Sequence, residues 1–163
     1  MFVINVAVAG TIVTVYSARA AAGEEIGWHG YMLTRLVDAG VAKPILTSGL
    51  IWSLWHVPLI LGGVYLVGPP RLVAALLWMV TATAFSFVFA RLRLETGSVW
   101  PAITLYSAWN AITQAAFDPA SHGARPELWI GESGILVALT MIVAAIVFSC
   151  GRWTIRRDTV EAA

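Results

Sequence analysis

Long apolar runs broken by short polar punctuation organise this chain. Residues 1–18, 44–70, 72–90 and 134–151 contain no Asp, Glu, Lys or Arg. Runs of roughly 20 apolar residues match the thickness of bilayer hydrocarbon. Only helices and closed barrels satisfy every backbone group in lipid, and the period-two alternation of barrel strands is absent. The pattern therefore predicts an all-α fold, a polytopic transmembrane bundle of about six helices. The predicted segments are residues 2–18, 24–37, 45–61, 71–92, 100–117 and 134–152. Gly23 separates the first two, Gly40 and Pro44 the next pair. Gly62–Gly63 and the turn Gly68–Pro69–Pro70 end the third, and the turn from Glu95 to Ser98 ends the fourth. A polar loop, residues 118–133, precedes the sixth.

Composition sharpens this picture. Of 163 residues, 59% are apolar and 12% charged, and the mean hydropathy is +0.80. Soluble domains carry about a quarter charged residues, so a water-facing surface is missing. The net charge of +1, with no basic run beyond Arg156 and Arg157, gives no footprint for nucleic acid. The expected partners are the lipid bilayer and a peptide or membrane-protein substrate. The single cysteine, Cys150, excludes a disulfide framework or a cysteine metal site and reads as a buried spectator thiol. The first apolar run lacks a basic leader, which favours a membrane span over a cleaved signal. No repeat or linker divides the chain, so an N-terminal helix and connection (1–22), a core (23–152) and a cytoplasmic tail (153–163) form one unit. If the second segment crosses, Arg35, Lys43, Arg91, Arg93, Arg152, Arg156 and Arg157 fall on one side, and Arg19, Arg71 and Arg125 on the other. That bias places both termini in the cytoplasm.

Ionisable groups at membrane depth need a reason, because burying them in lipid costs a few kcal/mol. Glu24, Glu25 and His29 in the second segment and His56 in the third are such groups, and Tyr106 and Asn110 in the fifth add neutral polar atoms. Glu25 and His29 are four apart and share a helix face, as do Tyr106 and Asn110. His56 follows Trp52 by four residues and precedes Pro58, whose kink is placed to open the helix wall beside the imidazole. A carboxylate, an imidazole and an amide in one dry cavity are what water activation requires. The carboxylate takes a proton from water, and fixed donors stabilise the oxyanion.

Each residue alone also has a plainer reading. A glutamate pair after glycine suits a helix start. His56 and Asn110 suit interhelical hydrogen bonds, Tyr106 suits packing, and His29 suits the membrane surface. Order and spacing of all six together favour a site.

The run Glu24-Glu25-Ile26-Gly27-Trp28-His29-Gly30-Tyr31 resembles the first motif of the CAAX-processing and bacteriocin-processing (CPBP, or Abi) intramembrane proteases: two glutamates, three residues, then arginine. Trp52-Ser53-Leu54-Trp55-His56 is similar to the second, an aromatic, three residues and a histidine. Tyr106-Ser107-Ala108-Trp109-Asn110 is similar to the third, which has histidine, three residues and asparagine. The resemblance spans residues 23–152 and implies hydrolysis of peptide bonds of membrane-associated proteins at a cell membrane. It implies that Glu24 and His56 activate water, that Tyr106 and Asn110 stabilise the oxyanion, and that Glu25 and His29 hold the helix. His29 stands where the family has arginine, without its fork or permanent charge. Tyr106 stands where it has histidine; a phenol donates a hydrogen bond but does not shuttle protons near neutral pH.

The family has been described both as zinc proteases and as glutamate proteases. Zinc wants about three protein ligands, and Tyr106 removes one, so no metal is expected. Glu25, His29 and His56 are the alternative ligand set. Three functions stay open: an active endopeptidase, a catalytically impaired peptide- or partner-binding relative, and a small transport or proton-relay protein. Clustering of the polar residues in one layer disfavours the last.

Overall fold

The computed structural model describes residues 1–66 and 70–150. Gly68, Pro69, Arg152, Arg156, Arg157 and the tail lie outside the described residues. Helices and the turns joining them account for the described fold, and no strand occurs among the described residues. The all-α transmembrane bundle is the architecture.

The first helix, α1 (Phe2–Asp38), is one rod where two segments were expected. Gly23 lies inside it with open space around its Cα. In water an interior glycine costs about 1 kcal/mol relative to alanine. In lipid, breaking the ladder strands backbone groups at several kcal/mol each, so continuity wins. Two wide π turns, Ala9–Val13 and Ile26–Met32, relieve the rod instead. Both contain glycine: Gly10 in one, Gly27 and Gly30 in the other.

Helix α2 (Pro44–Leu61) starts with proline at its first position, where the missing N–H is no loss. It continues past Pro58 for three residues and ends at Gly62, followed by Gly63 with φ +76°. Helix α3 (Arg71–Thr96) is stopped by Gly97 at φ +71°, whose N–H bonds back to the Arg93 carbonyl. Helix α4 (Trp100–Ile112) runs on through a π turn, Thr113–Phe117, and one turn more, Asp118–Ala120. A single turn, α5 (Pro126–Trp129), precedes α6 (Ile135–Ser149). Helices α1, α2 and α3 are long and apolar enough to cross a membrane, and α6 is a shorter apolar helix. Leu136, Leu139, Val143, Ile146 and Val147 on α6 are exposed, as a lipid-facing flank requires.

Close crossings come from small residues, the usual means by which membrane helices approach. A Cβ on Gly49 of α2 would lie 2.9 Å from the Ser86 side chain and 3.2 Å from the Thr83 backbone of α3. This contact brings α2 and α3 together below a cluster of aromatic rings. Trp52, wholly buried, is at its centre, with its ring 5.6 to 6.0 Å from those of His29, His56, Trp78, Phe89 and Tyr106.

Three expectations change. Phe2 packs on Phe117, so the start of α1 lies beside the 118–134 connection. Arg91, near the other end of α3, donates to the carbonyls of Phe148 and Cys150. The two ends of the described chain are therefore on opposite sides, because α1 crosses once instead of turning back at Gly23. Cys150 is exposed, one residue beyond the last turn of α6. The 118–133 loop is solvated only in part: residues 118–120 and 122–125 are exposed, but it carries two helical turns and buries Glu132 and Ser133.

Candidate active site

Glu24 and Glu25 are neighbours on α1, so their side chains diverge by about 100°. Glu25 points into the core and is fully buried, while Glu24 keeps 27% of its side chain exposed. Beside Glu24 a cleft of about 290 Å³ opens between α1 and α2, lined by Gly23, Gly27, Trp28, Met32 and Trp55. Gly23 and Gly27 present open space there, so the backbone is uncovered on the side where the carboxylate sits.

Three side chains from two other helices meet that carboxylate. Trp52 Nε1 donates to Glu24 Oε2 at 3.0 Å. His56 Nε2 lies 3.7 Å from the same oxygen. The Tyr106 hydroxyl donates to Glu24 at 3.3 and 3.4 Å, long contacts shared between its two oxygens. His56 Nδ1 is 3.0 Å from the Trp52 carbonyl, which can only accept, so Nδ1 carries the hydrogen. In a neutral ring, Nε2 is then a lone pair facing the carboxylate. Two acceptors 3.7 Å apart do not bond directly. A water about 2.8 Å from each can give one hydrogen to each.

Asn110 is one turn beyond Tyr106 on α4 and half-buried. Its Oδ1 is shielded and finds no hydrogen-bond partner among the described residues. The structure thus gathers Glu24, His56 and Tyr106, with Asn110 adjacent in the helix.

Glu25 and His29 make a separate pair, with Oε2 and Nδ1 2.7 Å apart and both side chains fully buried. His29 is not at the membrane surface: its ring packs on Phe89 and Trp52 at 5.0 and 5.7 Å. Glu25 Oε1 and His29 Nε2 have no partner among the described residues. The π turn Ile26–Met32 carries His29 into this position. No group of three His, Cys, Asp or Glu side chains is placed to hold a metal ion among the described residues. Glu25 and His29 face each other through Oε2 and Nδ1 while His56 faces Glu24, so the alternative zinc set does not converge on one point.

Sequence reasoning missed three contributors. Trp52 read as a motif aromatic, and nothing marked its indole N–H as a donor to Glu24. Tyr65, in the loop after α2, packs its ring on His56 at 5.5 Å and donates to Glu132 Oε2 at 2.5 Å. Glu132, 3% exposed, also accepts from Gln114 at 3.0 Å. Burial pushes the Glu132 carboxyl up, against the pull of its two hydrogen bonds. Burial, with Glu132 beside it, raises Tyr65 far above the usual phenol range, so Tyr65 keeps its proton and donates.

The fold defines the chain as a multi-pass helical membrane protein. A family model, type II CAAX prenyl endopeptidase Rce1-like, matches residues 5–112, which contain all three motifs. The chain belongs to this intramembrane protease family. No curated protein and no solved structure matches it.

Proposed function

We propose that this chain is an active intramembrane endopeptidase that hydrolyses peptide bonds of membrane-associated proteins in a cell membrane. The observation that carries this reading is the 3.7 Å gap between His56 Nε2 and Oε2 of Glu24, the carboxylate that lines the cleft. A water held across that gap gives its proton to Glu24 as its oxygen attacks the scissile carbonyl carbon. The carbonyl oxygen becomes an oxyanion within reach of donors from α4, the Tyr106 hydroxyl and the Asn110 amide. Glu24 then returns the proton to the amide nitrogen, the C–N bond breaks, and an acid and an amine leave. Trp52 keeps the carboxylate oriented, and its backbone carbonyl fixes the His56 tautomer. Glu25 and His29 hold the helix from the core side.

Cleavage of a library of membrane peptides by the purified protein tests this reading. Because the reaction uses no metal, the rate should survive dialysis against a strong chelator and should not rise with added zinc. Metal content is assayed in parallel. Bound stoichiometric zinc, with activity lost on chelation and restored by metal, would reverse the assignment. An inert wild type that still binds the peptides would make the chain a binding relative instead.

Tyr106 supplies a second check. In the resting site its hydroxyl rests on Glu24 through two long contacts, which it can exchange for a developing oxyanion. Tyr106→Phe should lower turnover about 10- to 1000-fold, as loss of one oxyanion donor does, with little change in stability. An active enzyme indifferent to phenylalanine there leaves Tyr106 as packing. Restoring the family's histidine should keep or raise activity.

A further inference from the structure

The His56 ring sits in a cage of four aromatic side chains. Trp52 and Trp55, at centroid distances of 5.9 and 4.9 Å, come from its own helix, and Trp78, at 4.9 Å, from α3. The fourth wall is Tyr65 at 5.5 Å, tilted 39° to the imidazole. The other three walls stand on helices, Trp52 and Trp78 buried in the core and Trp55 half-exposed. Tyr65 stands on the connection after α2, where Gly63 and Leu66 have positive φ and its own N–H donates to the Leu59 carbonyl at 3.3 Å.

The Tyr65 ring leans edge-on against Trp78 at 5.5 Å, and what holds its hydroxyl end is Glu132. One carboxylate oxygen takes the Tyr65 hydroxyl and the other takes the Gln114 amide. Gln114 lies on the π turn that continues α4, eight residues after Tyr106. The bond therefore ties the Tyr65 loop to the helix that carries Tyr106. The turn presenting Glu132 is itself constrained: Gly131 has φ +85°, and a Cβ on Gly134 would come within 2.6 Å of the Ile130 backbone. A carboxylate buried this deeply costs stability, and a peripheral loop clasp would not need one. Glu132 and Gln114 also lie beyond the segment that matches the protease family, residues 5–112.

We propose that Glu132, acting through the Tyr65 hydroxyl, is a positioning residue for His56, pinning the one loop-borne wall of the imidazole's cage. The proposal rests on the reading that Glu24 and His56 activate water. With Tyr65 released, the imidazole gains freedom to rock about its Nδ1 bond, and Nε2 leaves the line to Glu24.

The test uses the full chain in lipid nanodiscs, with Tyr65→Phe, Glu132→Ala, Glu132→Gln and the double variant Tyr65→Phe/Glu132→Ala. Tyr65→Phe and Glu132→Ala should each lower kcat about 10- to 100-fold, the penalty of displacing a reacting group by an ångström or less. KM should stay within about twofold, because the lost interaction is not with substrate. The double variant should be no worse than Glu132→Ala alone, since Tyr65→Phe removes a bond that Glu132→Ala has already broken. Glu132→Gln, which still accepts from Tyr65, should recover most of the rate. The His56 Cε1–H resonance, assigned with His56→Gln, should shift in Tyr65→Phe and Glu132→Ala while that of His29 stays put. An unmoved His56 resonance, or wild-type kcat in Tyr65→Phe, overturns the proposal. If Glu24→Gln is as active as wild type, the catalytic reading fails instead, and the His56 resonance still decides whether Glu132 positions the ring.

Discussion

Replacing Glu24 with glutamine should slow peptide hydrolysis about 10²- to 10⁴-fold, the range for removing a general base. The substitution changes little else. Glutamine has the shape of glutamate, its oxygen can accept from Trp52 Nε1, and its amide nitrogen can donate to the Tyr106 hydroxyl. What disappears is the ability to take a proton from the water shared with His56. Glu24 is part-exposed in the cleft, so no buried charge is left stranded and the unfolding temperature should barely move. Cleavage rate and thermal unfolding, measured on the same preparation, separate loss of chemistry from loss of fold. Wild-type turnover in this variant would remove Glu24 from the reaction.

His29→Ala should instead strike the fold. It strands the Glu25 carboxylate in a site without solvent, where its 2.7 Å partner was the only one for either of its oxygens among the described residues. Breaking a buried pair from one side costs about 3–5 kcal/mol, enough to unfold a marginal bundle. Removing both ends as Glu25→Leu/His29→Leu should recover much of that, since replacing a buried ion pair by apolar side chains is often neutral. Arginine, the family's residue, is longer than the imidazole that Phe89 and Trp52 enclose. His29→Arg should therefore cost about 1–3 kcal/mol through overpacking. Unfolding temperatures of the three variants in one detergent order the effects. A stable His29→Ala protein would mean that Glu25 is neutral or hydrated in place.

The residues legible in the sequence were those whose chemistry is out of place in lipid. Glu24, His56 and Tyr106 stood out against apolar neighbours, and the Glu25–His29 pair followed from a spacing of four. The bundle followed from run lengths alone. Glu132 and Tyr65 were not legible because each lies in a connection, where solvation is the default account of a polar side chain. Only tertiary packing buries them together, across 67 residues of chain. Trp52 was half legible: its place was marked, but whether an indole N–H meets an acceptor depends on a neighbouring helix. The break at Gly23 failed for a different reason. Glycine's penalty is measured against water, and in hydrocarbon an interrupted helix has nowhere to send its backbone groups.

The unbroken α1 sets one more condition on the molecule. Its 37 residues form a rod of roughly 55 Å, whereas the hydrocarbon slab is about 30 Å thick. Exposed apolar residues run along the rod from Phe2 to Tyr16, so it gains by leaning to keep that flank in lipid rather than standing upright out of it. Bilayer thickness bears on that lean, together with packing against the neighbouring helices. Glu24 rides on the same helix, so a thicker or thinner membrane should tip the cleft with it, and the angle at which a peptide bond meets the carboxylate should then depend on lipid composition.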